Sequence, residues 1–118
     1  MKLPNHEIAI APRGKIMDYL LSFVHKDGRA KAAFFSKFGF GVENWEVLAV
    51  ALKNHAAEHD EKKQEATLFG IRYIIEGELD APDGRKPRIR VVWFIESESD
   101  VPKLVTAYPI SVKKTGND

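Results

Sequence analysis

Thr106 and Tyr108, close to the end of the chain, alternate with Val105 and Ala107, so their hydroxyls project to the same side of a strand. Two hydroxyls set this way can hold a phosphoryl oxygen. Cations on the preceding apolar segment can do the same, because Arg88 and Arg90 alternate with Ile89, Val91, Trp93 and Ile95. Another group of basic residues, His25, Lys26, Arg29 and Lys31, brackets Gly28 just ahead of a helical pattern, where free backbone amides and the helix dipole favour an anion. Arg72 adds a cation on an earlier strand. Each of these has an architectural reading as well. Gly28 can end one helix while Arg29 and Lys31 solvate the next, Glu76 and Glu78 can pair with arginines across strands, and Thr and Tyr are ordinary strand residues.

The run His55-Ala56-Ala57-Glu58-His59 has the His-x-x-Glu-His spacing of inverted zinc peptidases, and on a helix both imidazoles would share one face. It offers no evident third ligand and falls where the helix runs into charged residues. Histidines that cap or decorate an exposed helix end are the simpler expectation, and no metal is assigned. The sequence has no Gly-rich phosphate loop, no dinucleotide fingerprint and no serine in a nucleophile elbow, so it implies no cofactor.

The elements that must position these groups follow from periodicity. Ile8, Ile10 and Pro12 suggest an extended arm or edge strand. Ile16, Met17, Leu20, Leu21 and Val24 then form a helical stripe that stops at Asp27-Gly28. Arg29 to Phe38 predicts a short second helix with Ala30, Phe34 and Phe38 on one side and Gly39 as its left-handed cap. Trp45, Leu48, Ala49, Leu52 and Ala56 predict a third helix that begins near Glu43 or Asn44. The charged stretch Glu58 to Glu65 reads as its frayed end and a loop. From Thr67 to Leu79 the period changes to two, with Phe69, Ile71, Tyr73 and Ile75 on one face, and Gly70 marks an interruption. Pro82-Asp83-Gly84 predicts the turn into the strand Arg88 to Glu96, and the loop to Pro102 leads into Lys103 to Ile110, with Thr106 and Tyr108 sharing a side with Leu104. Lys113 to Asp118 reads as a loose tail.

Helices first and strands afterwards give the α+β class: N-terminal helices packed on one face of an antiparallel β-meander of three to four strands. The length of 118 residues fits a single domain over 1–118, and 44% hydrophobic content is enough for one core. Basic and acidic residues, 18 against 17, nearly cancel, so any anion site must be local rather than the general field of a nucleic-acid coat. The absence of cysteine excludes a disulfide scaffold, a thiolate zinc site and a thiol nucleophile. No apolar run is long enough to span a bilayer, and the opening residues lack the apolar run of a secretory signal. The expectation is a cytoplasmic protein without a membrane partner. Oligomeric state is not encoded in these patterns. Trp45, Trp93 and the phenylalanines are assigned to the core.

Read together, Leu3-Pro4-Asn5, Asp18-Tyr19-Leu20-Leu21, Gly28-Arg29-x-Lys31-Ala32-x-Phe34-Phe35, Gly39-Phe40, Asn44-Trp45, Pro82-Asp83-Gly84-Arg85, Val91 to Trp93 and Asp100-Val101-Pro102-x-Leu104-Val105-Thr106-Ala107-Tyr108-Pro109 resemble a family of small bacterial domains of unknown function, also found with adhesins and toxins. The resemblance covers nearly the whole chain. A more distant one is to the ribonuclease toxins of the barnase, EndoU, colicin and RelE group. Gly28 to Lys31 stands in the place of their Gly-His helix start, and Thr106 to Pro109 in the place of their closing strand; the histidine itself is replaced by Arg29 or Lys31. That resemblance implies metal-independent RNA cleavage, with Lys31 or His25 as base or acid and Arg29 and Arg90 around the phosphorane. Thr106 and Tyr108 would position the phosphate, and Arg72 and Arg88 would add substrate contacts. It also implies RNA and a cognate immunity or antitoxin protein as partners. The alternative from the residues alone is a non-catalytic module that binds a protein or a small anion.

Overall fold

In the computed structural model, residues 1–110 are described; the expected tail at Lys113 to Asp118 lies outside them. Helix α1 runs through Arg13–Lys15 and continues as a π-helical turn, Ile16–Leu20. Helix α2 spans Arg29–Ser36, and α3 spans Trp45–Glu58 after a 3₁₀ turn at Val42–Asn44. Four strands follow: β1 Glu61–Thr67, β2 Gly70–Glu78, β3 Arg88–Glu96 and β4 Lys103–Pro109. They form one antiparallel sheet in the order β1-β2-β3-β4, which is the expected α+β meander with its helices.

The core lies between the helices and one sheet face. Ile75 from β2, Ile89, Val91 and Trp93 from β3, and Ala107 from β4 are fully buried together with Leu48 and Leu52 of α3, Phe35 of α2 and Ile16 and Leu20 of α1. Burying each large side chain in this layer contributes roughly 1.5–3 kcal/mol relative to its exposed state. The predicted alternation of β3 holds, since the isoleucine, valine and tryptophan positions face inward while Arg90 faces outward at half exposure.

Several sequence expectations give way to tertiary structure. The charged stretch expected to fray contains β1, which has no buried residue and exists because its backbone pairs with β2. The strand expected from Thr67 starts at Gly70, where an interruption was expected, since Thr67 ends β1 and the chain reverses at Leu68-Phe69. Thr67 Oγ accepts the Phe69 amide at 3.1 Å and donates to the Gly70 carbonyl at 3.0 Å. Gly70, at φ 153°, lies where a Cβ would meet the Ile95 carbonyl oxygen at 2.2 Å. Phe69 is therefore 76% exposed at a hairpin tip instead of sharing a face with Ile71, and Phe23, exposed in the loop after α1, also leaves the predicted core set. Helix α1 stops at Leu20, so Val24 drops off the expected stripe into solvent. In α2 the buried side is Ala32 and Phe35, with Phe34 and Phe38 partly covered and Ala30 exposed. Gly39 takes the expected left-handed conformation at φ 100°.

Candidate functional site

The two ends of β4 are held differently. At its start, Ile10 of the N-terminal arm makes a parallel bridge: its amide donates to the Pro102 carbonyl at 2.8 Å, and its own carbonyl accepts the Leu104 amide at 3.0 Å. Beyond this bridge α1 and the N-terminus of α2 lie along β4. An open cleft of about 640 Å³ forms there, with Lys15, Asp18, Tyr19, His25, Asp27 and Thr106 among its lining residues.

A bulge in β4 decides which residues reach this cleft. Thr106 registers with Val92, but Leu104 registers with Trp93, leaving Val105 as an extra residue. Leu104 consequently turns into the core, 3% exposed, and does not share a side with Thr106 as simple alternation predicts. Thr106 and Tyr108 stay opposite Val92 and Arg90 on the outer face.

The helical side is shaped by the π turn. The Leu21 amide reaches the Ile16 carbonyl at 2.8 Å, five residues back, so the turn is wider than an α-helical one. Its end packs on Gly28, where an added Cβ would lie 1.9 Å from the Tyr19 carbonyl oxygen. Only glycine permits this approach, a stronger reason for its presence than capping. The loop between is tied by polar side chains. Ser22 Oγ accepts the amides of Val24 and His25 at 3.3 and 3.1 Å, and His25 Nδ1 accepts those of Asp27 and Gly28 at 3.0 and 3.1 Å. These two bonds place the proton of a neutral His25 ring on Nε2.

Tyr19 is the hub. Its hydroxyl shares a 2.8 Å hydrogen bond with Thr106 Oγ, and the His25 ring meets it edge-on at 5.0 Å. The ammonium groups of Lys15 and Lys31 lie 5.2 and 5.3 Å from its ring centroid. Lys31 also lies 6.0 Å from the Tyr108 ring and donates to the Asp27 carbonyl at 3.1 Å. From the sheet side, Arg90 Nη1 donates to the Tyr108 hydroxyl at 3.2 Å, and its Nε donates to Glu76 Oε2 at 2.7 Å. The Tyr108 hydroxyl and the Glu76 carboxylate hold the guanidinium pKa above its ordinary value.

Lys31, Arg90, Thr106, Tyr108 and His25 are thus gathered around β4, linked through Tyr19. Arg29, Arg72 and Arg88 are not part of that cluster: all three are exposed, and Arg72 faces Glu65 at 3.8 Å. Arg90 is ion-paired across strands with Glu76, as the shared face suggested. Tyr19, Lys15 and Asp18 are the contributors that sequence periodicity passed over. Tyr19 sits one residue off the buried positions Ile16 and Leu20, and a polar-tipped aromatic at the margin of a helical stripe is the signal that could have found it.

The His55 and His59 pair has a different environment. His55 is 1% exposed and its Nε2 meets the Gly77 carbonyl at 3.2 Å, while His59 Nε2 meets the Glu78 carbonyl at 2.9 Å. His55 is therefore not at an exposed helix end. Burial, then the neighbouring His59, lower its pKa to about 4, against the opposing effect of the Gly77 carbonyl. The described residues contain no cluster of three or more His, Cys, Asp or Glu arranged to hold a metal. Nor does any helix among them have the length and apolarity to cross a membrane.

No curated protein sequence matches this chain. Among solved structures, a chain of the contact-dependent growth inhibition toxin–immunity protein complex from Klebsiella pneumoniae 342 is similar with a TM-score of 0.70, covering 91% of this chain and 97% of that one. Identity over the match is 16%, so the likeness is one of fold. The sequence pattern of one family does extend across residues 2–111, which takes in the arm, the three helices and all four strands, and the chain belongs to that family, the Domain of unknown function (DUF6883).

Proposed function

We propose that this domain is of toxin type and cleaves RNA without a metal, using the cluster across β4. The observation that carries the reading is the gathering of Lys31 from α2, Arg90 from β3, and Thr106 and Tyr108 from β4 around one edge of the sheet, next to an open cleft. The resemblance to a chain of a toxin–immunity complex supports it at the level of fold. In this reaction the ribose 2′-oxygen bonds to phosphorus and the bond to the 5′-oxygen breaks, giving a 2′,3′-cyclic phosphate and a 5′-hydroxyl. Water takes the 2′-hydroxyl proton, and the Lys31 ammonium gives a proton to the departing 5′-oxygen and recovers one from solvent, so protons balance. Arg90 meets the charge that builds on the phosphorane, and the Thr106 and Tyr108 hydroxyls fix the phosphate. His25 braces the loop through Nδ1 and presents Nε2–H as a hydrogen-bond donor. A cognate immunity protein is the partner this reading implies.

The test is incubation of total RNA with the protein in the presence of a chelator. Wild type should generate fragments with cyclic phosphate ends, and Lys31→Ala or Arg90→Ala should slow cleavage about a hundredfold or more. RNA left intact by the wild type would sink the proposal. One observation favours a second reading: Glu76 already neutralises Arg90, as suits a sheet face that binds a protein or small anion without chemistry.

A further inference from the structure

Two apolar features lie at opposite ends of the sheet, and each lacks what the other offers. The first is the turn between β1 and β2. Leu68 is 93% exposed and Phe69 76%, so this turn holds two large side chains in water. Its backbone is nonetheless fixed. Besides the two bonds of Thr67 Oγ, the Ser97 amide donates to the Phe69 carbonyl at 2.9 Å and ties the tip to the β3–β4 loop. An apolar pair presented this way has little backbone freedom left to lose on contact, which is the property of an interface anchor. The loop beside it is acidic. Glu96 pairs with Lys103, but Glu98 and Asp100 make no ion pair among the described residues.

The second feature is a groove of about 460 Å³ between α1, α2 and the 3₁₀ turn. Buried Leu21, Ala32 and Phe40 belong to its lining, together with Met17, Phe23 and Val42. A cavity of about 150 Å³ suffices for a benzene ring, so this one has room for a leucine and a phenylalanine side chain together. Its lining includes the carboxylate of Glu43, but two cations stand around it. Arg13 Nε reaches Met17 Sδ at 3.1 Å, and Arg29 lies one helical turn before Ala32 on the same face of α2. Neither arginine makes an ion pair among the described residues.

Tip and groove are too far apart to meet within one molecule. Ser36 and Phe40 of the groove adjoin the β2–β3 turn, where the Asp83 amide donates to the Phe38 carbonyl at 3.3 Å and Gly39 packs on Pro82. The tip stands at the other end of β2, whose nine residues span about 26 Å. We infer that the Leu68-Phe69 tip of one copy seats in the groove of a second copy of this chain. Glu98 and Asp100 then approach Arg29 and Arg13, so charge sets the register while apolar burial gives the affinity. The contact is heterologous, because the surface each copy offers differs from the one it receives. One tip in one groove is smaller than a standard interface, so the dissociation constant is on the order of 0.1 mM. None of the β4 cluster takes part, and the inference stands or falls independently of RNA cleavage.

The test is sedimentation equilibrium of the intact chain from about 10 μM to about 1 mM, a range that brackets this constant. The average mass of the wild type should rise at least about 1.5-fold across it. Leu68→Ser combined with Phe69→Ser should hold the mass at the monomer value, and so should Val42→Glu, which sets a second carboxylate in the groove. All three positions are exposed, so both variants should melt with the wild type. Mixing the two variants separates this contact from general stickiness. Each keeps the half that the other has lost, so a one-to-one pair should form and grow no further. A wild type that stays monomeric throughout, or a variant without Leu68 and Phe69 that associates as before, would overturn the inference. So would a Val42→Glu variant that still associates, or two variants that fail to pair, because the tip would then be meeting something other than the groove.

Discussion

Two histidine clusters sit where helices meet the sheet, and they differ in what they leave free. At the end of α3, His55 and His59 each direct Nε2 to a backbone carbonyl of β2, their rings lie 4.6 Å apart, and the site is closed. Gly77 belongs to the same closure, since a Cβ on it would lie 2.6 Å from the His59 ring. At β4, His25 spends Nδ1 on the loop amides, but around it stand two lysines, two carboxylates and a cleft. The spacing His-x-x-Glu-His is the more suggestive of chemistry on paper, yet both Nε2 atoms are spent on backbone carbonyls and the one free ring nitrogen, His55 Nδ1, is buried out of reach. The unremarkable segment from Asp18 to Lys31 is the one whose polar groups stand beside an open cleft. Chemistry is better located by which polar groups stay accessible after folding than by which residue types are present.

The largest expected effect breaks the cleft side of this comparison. Gly28→Ala places a methyl on the Tyr19 carbonyl, so backbone must move; the cost should be about 3 kcal/mol, read as a drop in Tm of about 10 °C, with loss of RNA cleavage. Next comes the closed cluster. Because His55 has its folded-state pKa lowered to about 4 from 6.5, its neutral form contributes fully above pH 6.5, and that contribution is lost as pH falls toward 4. Urea unfolding at pH 7 and pH 5 should differ by about 2 kcal/mol from this group, and His55→Leu should flatten the difference. A pH dependence unchanged by that substitution would remove His55 as its cause. A smaller effect belongs to the bond that joins α1 to β4. Tyr19→Phe and Thr106→Val should each cost about 1 kcal/mol and, as a double-mutant cycle, should not add. Smallest of all is the stability change in Lys31→Ala, within about 0.5 kcal/mol, because its ammonium lies at the surface of the cluster. A large loss of stability there would recast Lys31 as architecture and blunt the contrast between the two regions.

The parts of the fold that sequence made legible are those in which a side-chain period and burial coincide. Trp45, Leu48, Leu52 and Ala56 announce α3, and Ile89, Val91 and Trp93 announce β3, because one face of each buries what the other does not. Strand β1 was illegible for the converse reason: Glu61 to Thr67 buries nothing, and only hydrogen bonding to β2 makes it a strand. The candidate site was half legible. Lys31, Arg90, Thr106 and Tyr108 could be nominated by residue type and position, whereas Tyr19 and the pairing of Gly28 with its carbonyl depend on the π turn, which no local pattern marks. Asp18 and Asp27 are exposed cleft residues that no side-chain period marks.

Val105 has a consequence for how the domain tolerates change in length. On one side of it β4 keeps step with the core through Leu104, and on the other Ala107 keeps step with Val91, so the strand is two half-strands out of phase by one residue. Removing Val105 would bring them into phase without changing a face, because Leu104 would still stand opposite Trp93 and Thr106 and Tyr108 opposite Val92 and Arg90. At this position a single-residue deletion would straighten the strand and keep both surfaces, whereas the same deletion in a regularly paired strand flips every side chain beyond it to the other face.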